Sequence, residues 1–268
     1  MSWLDAIILG LVEGITEFLP ISSTGHLILT KSLLGLQGEA VERHIIIIQG
    51  AAILAVCWEF RAKLLHTLFT LHRDAISRRF VLNLLVAFLP LAILGLLFGK
   101  YIKAVLFKPV PVAIALVIGG VIILWAERRK HAERIQDVDQ LDWKDSLKLG
   151  MFQALALIPG TSRSGATIIG GLLSGFSRRV AAEFSFFVAI PVLLAATALD
   201  LWQARHDLHT ADATPLIISC VVSFISALLV TKLLLRFVSQ HSFASFAWYR
   251  IVFGAVILIT AWTGVVHW

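Results

Sequence analysis

Residues 13–26 read EGITEFLPISSTGH, and residues 159–165 read PGTSRSG. Both stretches are polar and broken by Gly and Pro, whereas most of the chain around them is apolar. Ionisable side chains at membrane depth are costly and usually mark a functional site. Two carboxylates, one imidazole and one guanidinium fall within these stretches. The sequence therefore predicts that the two stretches form the functional site of a membrane protein.

The rest of the chain has the composition of a membrane protein. Of its 268 residues, 58% are hydrophobic and 15% are charged, and the mean hydropathy is +0.87. Soluble domains carry about 25% charged residues. Strand-like alternation is absent, so the predicted fold class is an all-α polytopic membrane protein with about six transmembrane helices and two re-entrant helix hairpins. The predicted spans are residues 43–60, 80–98, 112–127, 183–200, 214–236 and 247–266.

The net charge of +6 is distributed in a way that is typical of orientation signals. Thirteen Lys and Arg residues lie in 61–79, 128–148 and 176–182, against four in 99–111 and 201–213. The positive-inside rule places the first three segments in the cytoplasm and the last two outside. The basic segments are therefore interpreted as orientation signals, and nucleic acid is not expected as a partner.

The two polar stretches resemble each other, as do the segments around them. Gly10-Leu-Val-Glu13 aligns with Gly150-Met-Phe-Gln153, and Pro20 aligns with Pro159 when single-residue gaps are allowed. Three apolar spans follow each stretch, and an odd number of spans inverts the second half. We predict a single membrane domain built from a first repeat at 1–128 with a re-entrant hairpin at 1–35, a cytoplasmic linker at 129–143, and an inverted second repeat at 144–268 with a hairpin at 145–175.

Neither polar stretch fits inside a simple span. Pro20 and the Ser, Thr and Gly residues after it interrupt an apolar helix, and the piece that follows is too short to cross a bilayer. Irregular backbone at membrane depth is tolerated only inside protein or beside a wet cavity. We expect the turns of the two hairpins to meet near the middle of the membrane, with the first hairpin entering from outside and the second from the cytoplasm.

Glu13 and Glu17 are four residues apart, which places both carboxylates on one face of the first half-helix. In a low dielectric they repel each other unless a cation or a proton intervenes. Oxygen ligands of this kind suit Mg²⁺ or Ca²⁺, especially when substrate phosphates complete the coordination shell. A metal or acid–base role is the favoured interpretation. The alternative is one ionised and one protonated Glu held by hydrogen bonds.

Ser22, Ser23, Thr24, Gly25 and His26 follow Pro20. Hydroxyls and free N–H groups at the start of a helix bind anions, so Thr24 and Gly25 are predicted to bind phosphate. Ser22, Ser23 and His26 are candidate catalytic residues, because His beside Ser and Glu can act as base, acid or nucleophile. The alternative for His26 is a residue that merely belongs to the helix cap.

The second stretch places Ser162, Arg163 and Ser164 at the opening of another helix, with Thr167 one turn further on. Arg presents a planar fork that matches phosphate oxygens. These four residues are predicted to form a phosphate clamp. The alternative is a structural ion pair between Arg163 and either Glu13 or Glu17.

Acids on one side and a phosphate clamp on the other predict phosphoryl transfer from a lipid phosphate or pyrophosphate to water. Positioning and charge stabilisation do most of the catalysis in such reactions. Ser or His forms a covalent intermediate, or positions water; the sequence leaves this open. The main rival is a carrier-lipid transporter or flippase that uses the same clamp without hydrolysis, since such proteins also contain inverted repeats with broken helices.

The two motifs closely resemble the signature motifs of the bacterial undecaprenyl pyrophosphate phosphatase family, the bacitracin-resistance protein type. The resemblance extends over the whole chain in length, number of spans and repeat position. It implies an integral inner-membrane enzyme that removes the terminal phosphate from undecaprenyl pyrophosphate. This reaction regenerates the lipid carrier for peptidoglycan and other envelope glycans, with bacitracin resistance as an indirect effect.

The resemblance also implies a site. Its first motif carries over to Glu13, Glu17, Ser22, Ser23 and His26, and its second to Ser162, Arg163 and Thr167. It implies a divalent cation, Mg²⁺ or Ca²⁺, and an active site that opens toward the periplasm. The expected partners are the lipid substrate and membrane lipid, and a homodimer is left open.

Overall fold

The computed structural model describes residues 1–129, 133–205 and 213–264, and within these ranges it contains helices and no strand. Short 3-10 turns occur at 138–140 and 155–157. The α-helices are α1 (Trp3–Thr16), α2 (Ser23–Leu33), α3 (Glu39–Glu59), α4 (Arg61–Thr70), α5 (Ala75–Leu106), α6 (Pro109–Arg128), α7 (Trp143–Ala154), α8 (Arg163–Leu173), α9 (Arg178–Ala204), α10 (Ala213–Val238) and α11 (Ala244–Thr263).

Six helices, α3, α5, α6, α9, α10 and α11, are long and apolar enough to cross a bilayer. Their outward faces carry large exposed apolar side chains; Leu96 on α5 is 83% exposed and Trp262 on α11 is 88% exposed. Exposed apolar surface of this extent marks a face that meets another apolar phase, which for these helices is the lipid of a membrane. The predicted class, an all-α polytopic membrane protein with six spans, is confirmed.

The connection between α5 and α6 is shorter than predicted. α5 continues to Leu106 and α6 begins at Pro109, so most of the predicted outer loop 99–111 is helical. Tyr101, which is 72% exposed, lies in this extension, and a residue with an apolar ring and a polar tip is tolerated at the end of a membrane helix. Three predicted segments lie partly outside the described residues: the linker 129–143, the loop 201–213 and the span 247–266.

The remaining paired helices, α1–α2 and α7–α8, are each too short to cross a membrane. They contain 14, 11, 12 and 11 residues. A helix rises 1.5 Å per residue, so the longest extends about 21 Å against a hydrocarbon core of about 30 Å. We call residues 17–22 the first hairpin turn and residues 155–162 the second hairpin turn. The division into inverted repeats stays a prediction.

The first helix of each pair packs against a spanning helix from the other half of the chain: α1 against α10, and α7 against α5. These contacts are close because small residues line them. A Cβ on Gly14 would lie 2.1 Å from Ser226 Oγ, and a Cβ on Gly150 would lie 2.7 Å from the carbonyl oxygen of Ala87. Small residues allow the backbones of membrane helices to approach in this way.

Both hairpin turns end in a serine with a left-handed backbone. Ser22 has a φ of 71° and Ser162 a φ of 70°, and no other non-glycine residue of the described ranges has a positive φ. Such conformations cost about 1–3 kcal/mol and cluster at functional sites. The helix resumes directly after each serine, so residues 23–25 and 163–165 form the first turns of α2 and α8, not part of the interruptions as predicted. At α8 the side chain of Ser162 caps the new helix.

Candidate active site

A cavity of about 180 Å³ lies between the two hairpin turns. The residues that α3, α5 and α9 contribute to it come from near the middle of these helices, which places the cavity near the middle of the membrane. It brings together polar residues from both stretches that the sequence analysis singled out. Its lining consists of Glu17, Ser22, Ser23, Thr24, Gln49, Leu91, Ala156, Gly160, Ser162, Arg163, Val192 and Leu193.

Glu17, Ser23 and Arg163 form a connected group in this cavity. Ser23 Oγ donates to Glu17 Oε2 at 2.5 Å, and Arg163 Nη2 donates to Glu17 Oε1 at 3.3 Å. Arg163 Nη1 also donates to the carbonyl oxygen of Ser185 at 3.0 Å, whereas its buried Nε has no partner within the described residues. The group therefore consists of a hydroxyl held by a carboxylate, beside a guanidinium whose Nε is unused. The ion pair between Arg163 and Glu17 was one of the two predicted alternatives.

Glu13 lies one helical turn before Glu17 and is fully buried. Neither of its carboxylate oxygens has a hydrogen-bond partner within the described residues. An isolated ionised carboxylate is very unfavourable in an apolar environment, so Glu13 needs a proton or a cation. No group of three or more His, Cys, Asp or Glu that could hold a metal occurs in the described ranges. Glu17 lines the cavity, whereas Glu13 does not. A cation held by these two acids would have to complete its shell with phosphate oxygens or water.

The hydroxyls of the second stretch are largely used inside the protein. Ser164 Oγ donates to the carbonyl oxygen of Leu19 at 2.8 Å and so joins α8 to the first hairpin turn. Thr167 Oγ1 donates to Ser185 Oγ at 2.6 Å. Of the three predicted phosphate-binding hydroxyls in this stretch, only that of Ser162 belongs to a residue lining the cavity.

The residues of the first stretch face two different sides of α2. Ser22 and Thr24 line the cavity together with Ser23. Gly25 packs against α6, and His26 points toward α11, where its Nε2 lies 2.7 Å from the hydroxyl oxygen of Tyr249. Neither Gly25 nor His26 lines the cavity. Their predicted roles in phosphate binding and catalysis stay predictions.

Two polar residues near the site were not identified from the sequence. Arg250, fully buried in α11, donates to the carbonyl oxygens of Pro20 at 3.1 Å and Gly160 at 3.0 Å, and so connects the two hairpin turns. It forms no ion pair with an acid of the described ranges. Gln49, from the middle of α3, adds an amide to the cavity wall. The sequence did contain a signal for Arg250, because a charged residue inside an apolar span marks a site by default.

Fold and site together define a class: polytopic helical membrane proteins in which two broken helix pairs bring a buried Ser–Glu–Arg group to membrane depth. The chain belongs to the family described as "Bacitracin resistance protein BacA", whose model matches residues 6–256. The predicted family is confirmed.

Several relatives match nearly the whole chain. An undecaprenyl-diphosphatase from Nitrosospira multiformis is 60% identical over 271 residues, covering 100% of this chain and 99% of that protein. An undecaprenyl-diphosphatase 2 from Rhodospirillum rubrum is 57% identical, covering 99% and 97%. An undecaprenyl-diphosphatase from Nitrosomonas eutropha is 56% identical, covering 100% and 99%.

Proposed function

We propose that the chain is a membrane phosphatase that hydrolyses undecaprenyl pyrophosphate to undecaprenyl phosphate and inorganic phosphate. The observation that carries the proposal is the buried Ser23–Glu17–Arg163 group in a cavity at membrane depth. The names of the relatives, all undecaprenyl-diphosphatases, support the identity of the substrate. The reaction would recycle the lipid carrier for peptidoglycan and other envelope glycans, with bacitracin resistance as an indirect consequence.

Ser23 is the proposed nucleophile. Its hydroxyl already donates to Glu17, which takes the proton as Ser23 Oγ bonds to the terminal phosphorus. The bond from that phosphorus to the bridging oxygen breaks, and undecaprenyl phosphate leaves with the electron pair and the proton from Glu17. Water then attacks the phosphoserine, Glu17 accepts a proton from this water, and Ser23 regains a proton as inorganic phosphate leaves.

Arg163 is proposed to bind the oxygens of the terminal phosphate. Its Nε is buried without a partner in the described residues, so it offers a donor at no cost to an existing hydrogen bond. A fixed guanidinium beside the reacting phosphorus stabilises the charge that develops on the equatorial oxygens. Ser162, Thr24 and the backbone N–H groups at the start of α8 supply further donors at the same cavity.

A divalent cation, Mg²⁺ or Ca²⁺, is proposed to bind Glu13 and Glu17 together with phosphate oxygens of the substrate. The support is that both oxygens of Glu13 lack a hydrogen-bond partner in the described chain, and that Glu13 lies one helical turn from Glu17, which lines the cavity. When bound, the cation would neutralise charge on the phosphate oxygens.

The proposed location is the bacterial inner membrane, with the cavity open toward the periplasm. The excess of Lys and Arg in the segments 61–79, 128–148 and 176–182 supports this orientation. Membrane lipid surrounds the six spans, and the proposed reaction requires neither nucleic acid nor a second copy of the chain.

Phosphate release from undecaprenyl pyrophosphate by the detergent-purified protein tests the proposal. We expect release by the wild type that stops with EDTA and returns with Mg²⁺ or Ca²⁺. Ser23→Ala and Glu17→Gln are expected to lower the rate by at least ~100-fold, as loss of a nucleophile or its base does. Ser239→Ala is the control, because Ser239 is exposed and its hydroxyl donates to the nearby Arg236 carbonyl oxygen. No release by folded wild type with metal present contradicts the proposal.

A further inference from the structure

The first hairpin turn lacks a hydrogen bond that the second one has. Ser162 caps α8 with its side chain, which accepts from the N–H of Gly165 at 3.1 Å. Ser22, which aligns with Ser162, makes no such bond, although its backbone has the same left-handed conformation. A strained backbone persists only where its surroundings hold it. Other groups must therefore fix Ser22.

His26 provides this support. Its ring Nδ1 lies 2.8 Å from the carbonyl oxygen of Ser22, whereas the backbone N–H of His26 reaches the same oxygen only at 3.5 Å. In the second hairpin, Ala166 aligns with His26, and its backbone N–H reaches the Ser162 carbonyl oxygen at 2.9 Å. In the first hairpin, the imidazole of His26 therefore makes the short hydrogen bond that the backbone N–H of Ala166 makes in the second hairpin.

The second ring nitrogen of His26 is also occupied. A carbonyl oxygen only accepts, so Nδ1 carries the proton, and Nε2 of the neutral ring accepts from the Tyr249 hydroxyl at 2.7 Å. The ring is stacked on Phe253, with centroids 4.0 Å apart and planes 10° apart. His26 does not line the cavity. No free nitrogen remains for proton transfer or attack on a phosphate.

We propose that Tyr249 and His26 are positioning residues for the phosphatase: Tyr249 orients the His26 ring, and the ring fixes Ser22 and thereby the nucleophile Ser23. The inference rests on the proposed function and deepens it. Ser23 follows Ser22 directly and must keep its 2.5 Å hydrogen bond to Glu17. A misplacement of about 1 Å lowers a rate by about 100-fold.

Substitutions of His26 separate positioning from acid–base or nucleophilic chemistry. The amide nitrogen of Asn occupies about the place of Nδ1 and can donate to the Ser22 carbonyl oxygen, but Asn cannot transfer a proton near neutral pH. We expect His26→Asn to keep kcat within ~10-fold of the wild type and His26→Ala to lose ~100-fold, both with little change in KM. Equal loss in both variants would overturn the proposal.

Substitution of Tyr249 tests the other end of the chain of hydrogen bonds. Tyr249→Phe keeps the ring but removes the donor to His26 Nε2, so we expect kcat to fall ~10-fold with KM unchanged. Tyr101→Phe is the matched control, because Tyr101 is 72% exposed on α5, away from the site. Wild-type kcat in Tyr249→Phe would overturn the role of Tyr249.

Two further measurements separate this inference from the proposed function. Ser23→Ala is assayed in parallel: an inactive wild type contradicts the proposed function, whereas an active wild type with inactive His26→Asn contradicts only the positioning role. Nitrogen-15 NMR of the histidine-labelled full chain is independent of activity. The His26 signals, identified by their loss in His26→Asn, should show the neutral Nδ1–H tautomer, and an Nε2–H tautomer would overturn the inference.

Discussion

Two buried arginines lie near the hairpin turns, and their partners differ. Arg163 pairs with the carboxylate of Glu17, a partner that an incoming phosphate can replace. Arg250 donates to carbonyl oxygens: those of Pro20 and Gly160, and two of α6. These carbonyls remain in place whatever ligand enters. We therefore expect Arg163 to act on the substrate and Arg250 to hold the two hairpin turns together.

Arg163→Lys should remove turnover and leave stability nearly intact. Lysine keeps the charge and can still pair with Glu17. A single ammonium lacks the planar fork of donors with which Arg163 would contact Glu17, the Ser185 carbonyl and a phosphate oxygen at the same time. We expect phosphate release to fall by ~100-fold or more, as it does when one transition-state donor is removed. Thermal unfolding in detergent should change little. Activity within a few-fold of the wild type would contradict the phosphate-binding role.

Arg250→Lys should show the opposite pattern. The charge stays buried, but one ammonium cannot reach carbonyls on both hairpin turns and α6, so buried acceptors lose their donors. Each such loss costs about 1–3 kcal/mol. We expect a clearly lower midpoint of thermal unfolding. Arg236→Lys is the control, since Arg236 is exposed at the end of α10. Equal midpoints for the two variants would contradict the structural role of Arg250.

The sequence indicated which residues are unusual but not which way each one points. Glu17 and Arg163 were predicted to share a site, and they form an ion pair. The direction of His26 could not be predicted, because it depends on Tyr249, which lies 223 positions further along the chain. Arg250 was overlooked because it stands alone in an apolar span, whereas the residues singled out occur in clusters. Contacts of this kind arise from tertiary packing and leave no local pattern.

At the scale of helices, α1 must sit deep against α10 because it carries Glu13 and ends directly before Glu17. The approach is possible where α1 has glycines. A Cβ on Gly10 would lie 2.5 Å from the Ser219 carbonyl oxygen, and one on Gly14 would lie 2.4 Å from that of Ser223. Backbone atoms cannot rotate away as a side chain can. The position of the acids therefore depends on the absence of side chains at Gly10 and Gly14, which lie next to Glu13 on the same side of α1.

Gly14→Ala should loosen this contact. We expect a loss of about 1–3 kcal/mol, the usual cost of overpacking, and a lower rate because Glu17 shifts with α1. The matched variant is Gly99→Ala in α5, where an added Cβ meets nothing within 4 Å. Alanine favours the helix over glycine by up to about 1 kcal/mol, so this variant should be neutral or more stable. Thermal unfolding in detergent measures both. Equal stability of the two variants would contradict close packing of α1 on α10.

The spanning helices could be predicted from hydropathy because a bilayer demands about 20 apolar residues whatever the tertiary contacts. The ends were less predictable. α5 extends past Lys100 to Leu106 because long side chains at the interface tolerate a helix. The hairpin turns were located from Pro20 and Pro159, but the left-handed backbone of Ser22 and Ser162 was not expected. Such strain is imposed by neighbouring groups, and nothing in a serine residue itself indicates it.

At the scale of the whole molecule, the structure brings the basic segments to one end. Lys63 donates to Asp139 at 2.7 Å and joins 61–79 to the chain after α6. The backbone N–H of Ser177 donates to the carbonyl oxygen of Ile135 at 2.9 Å. These bonds connect the segments 61–79, 128–148 and 176–182, which the charge pattern had placed on one side of the membrane. Several Lys and Arg side chains of these segments pair with acidic residues. The orientation still follows from the number of Lys and Arg, because acidic residues contribute little to it.

Cysteine labelling tests this orientation. The background is Cys57→Ala/Cys220→Ala, because both native cysteines lie within spans. In intact cells, a membrane-impermeant maleimide should label Lys108→Cys, in the turn between α5 and α6, and Arg205→Cys, which follows α9. Arg73→Cys should be labelled only after the cells are permeabilised. The fold requires Arg73 and Arg205 to lie on opposite sides of the membrane. The reason is that α9 begins beside the basic segments and crosses the membrane once before Arg205. Labelling of Arg73→Cys alone in intact cells would contradict this orientation, because it would place the basic segments outside the cell.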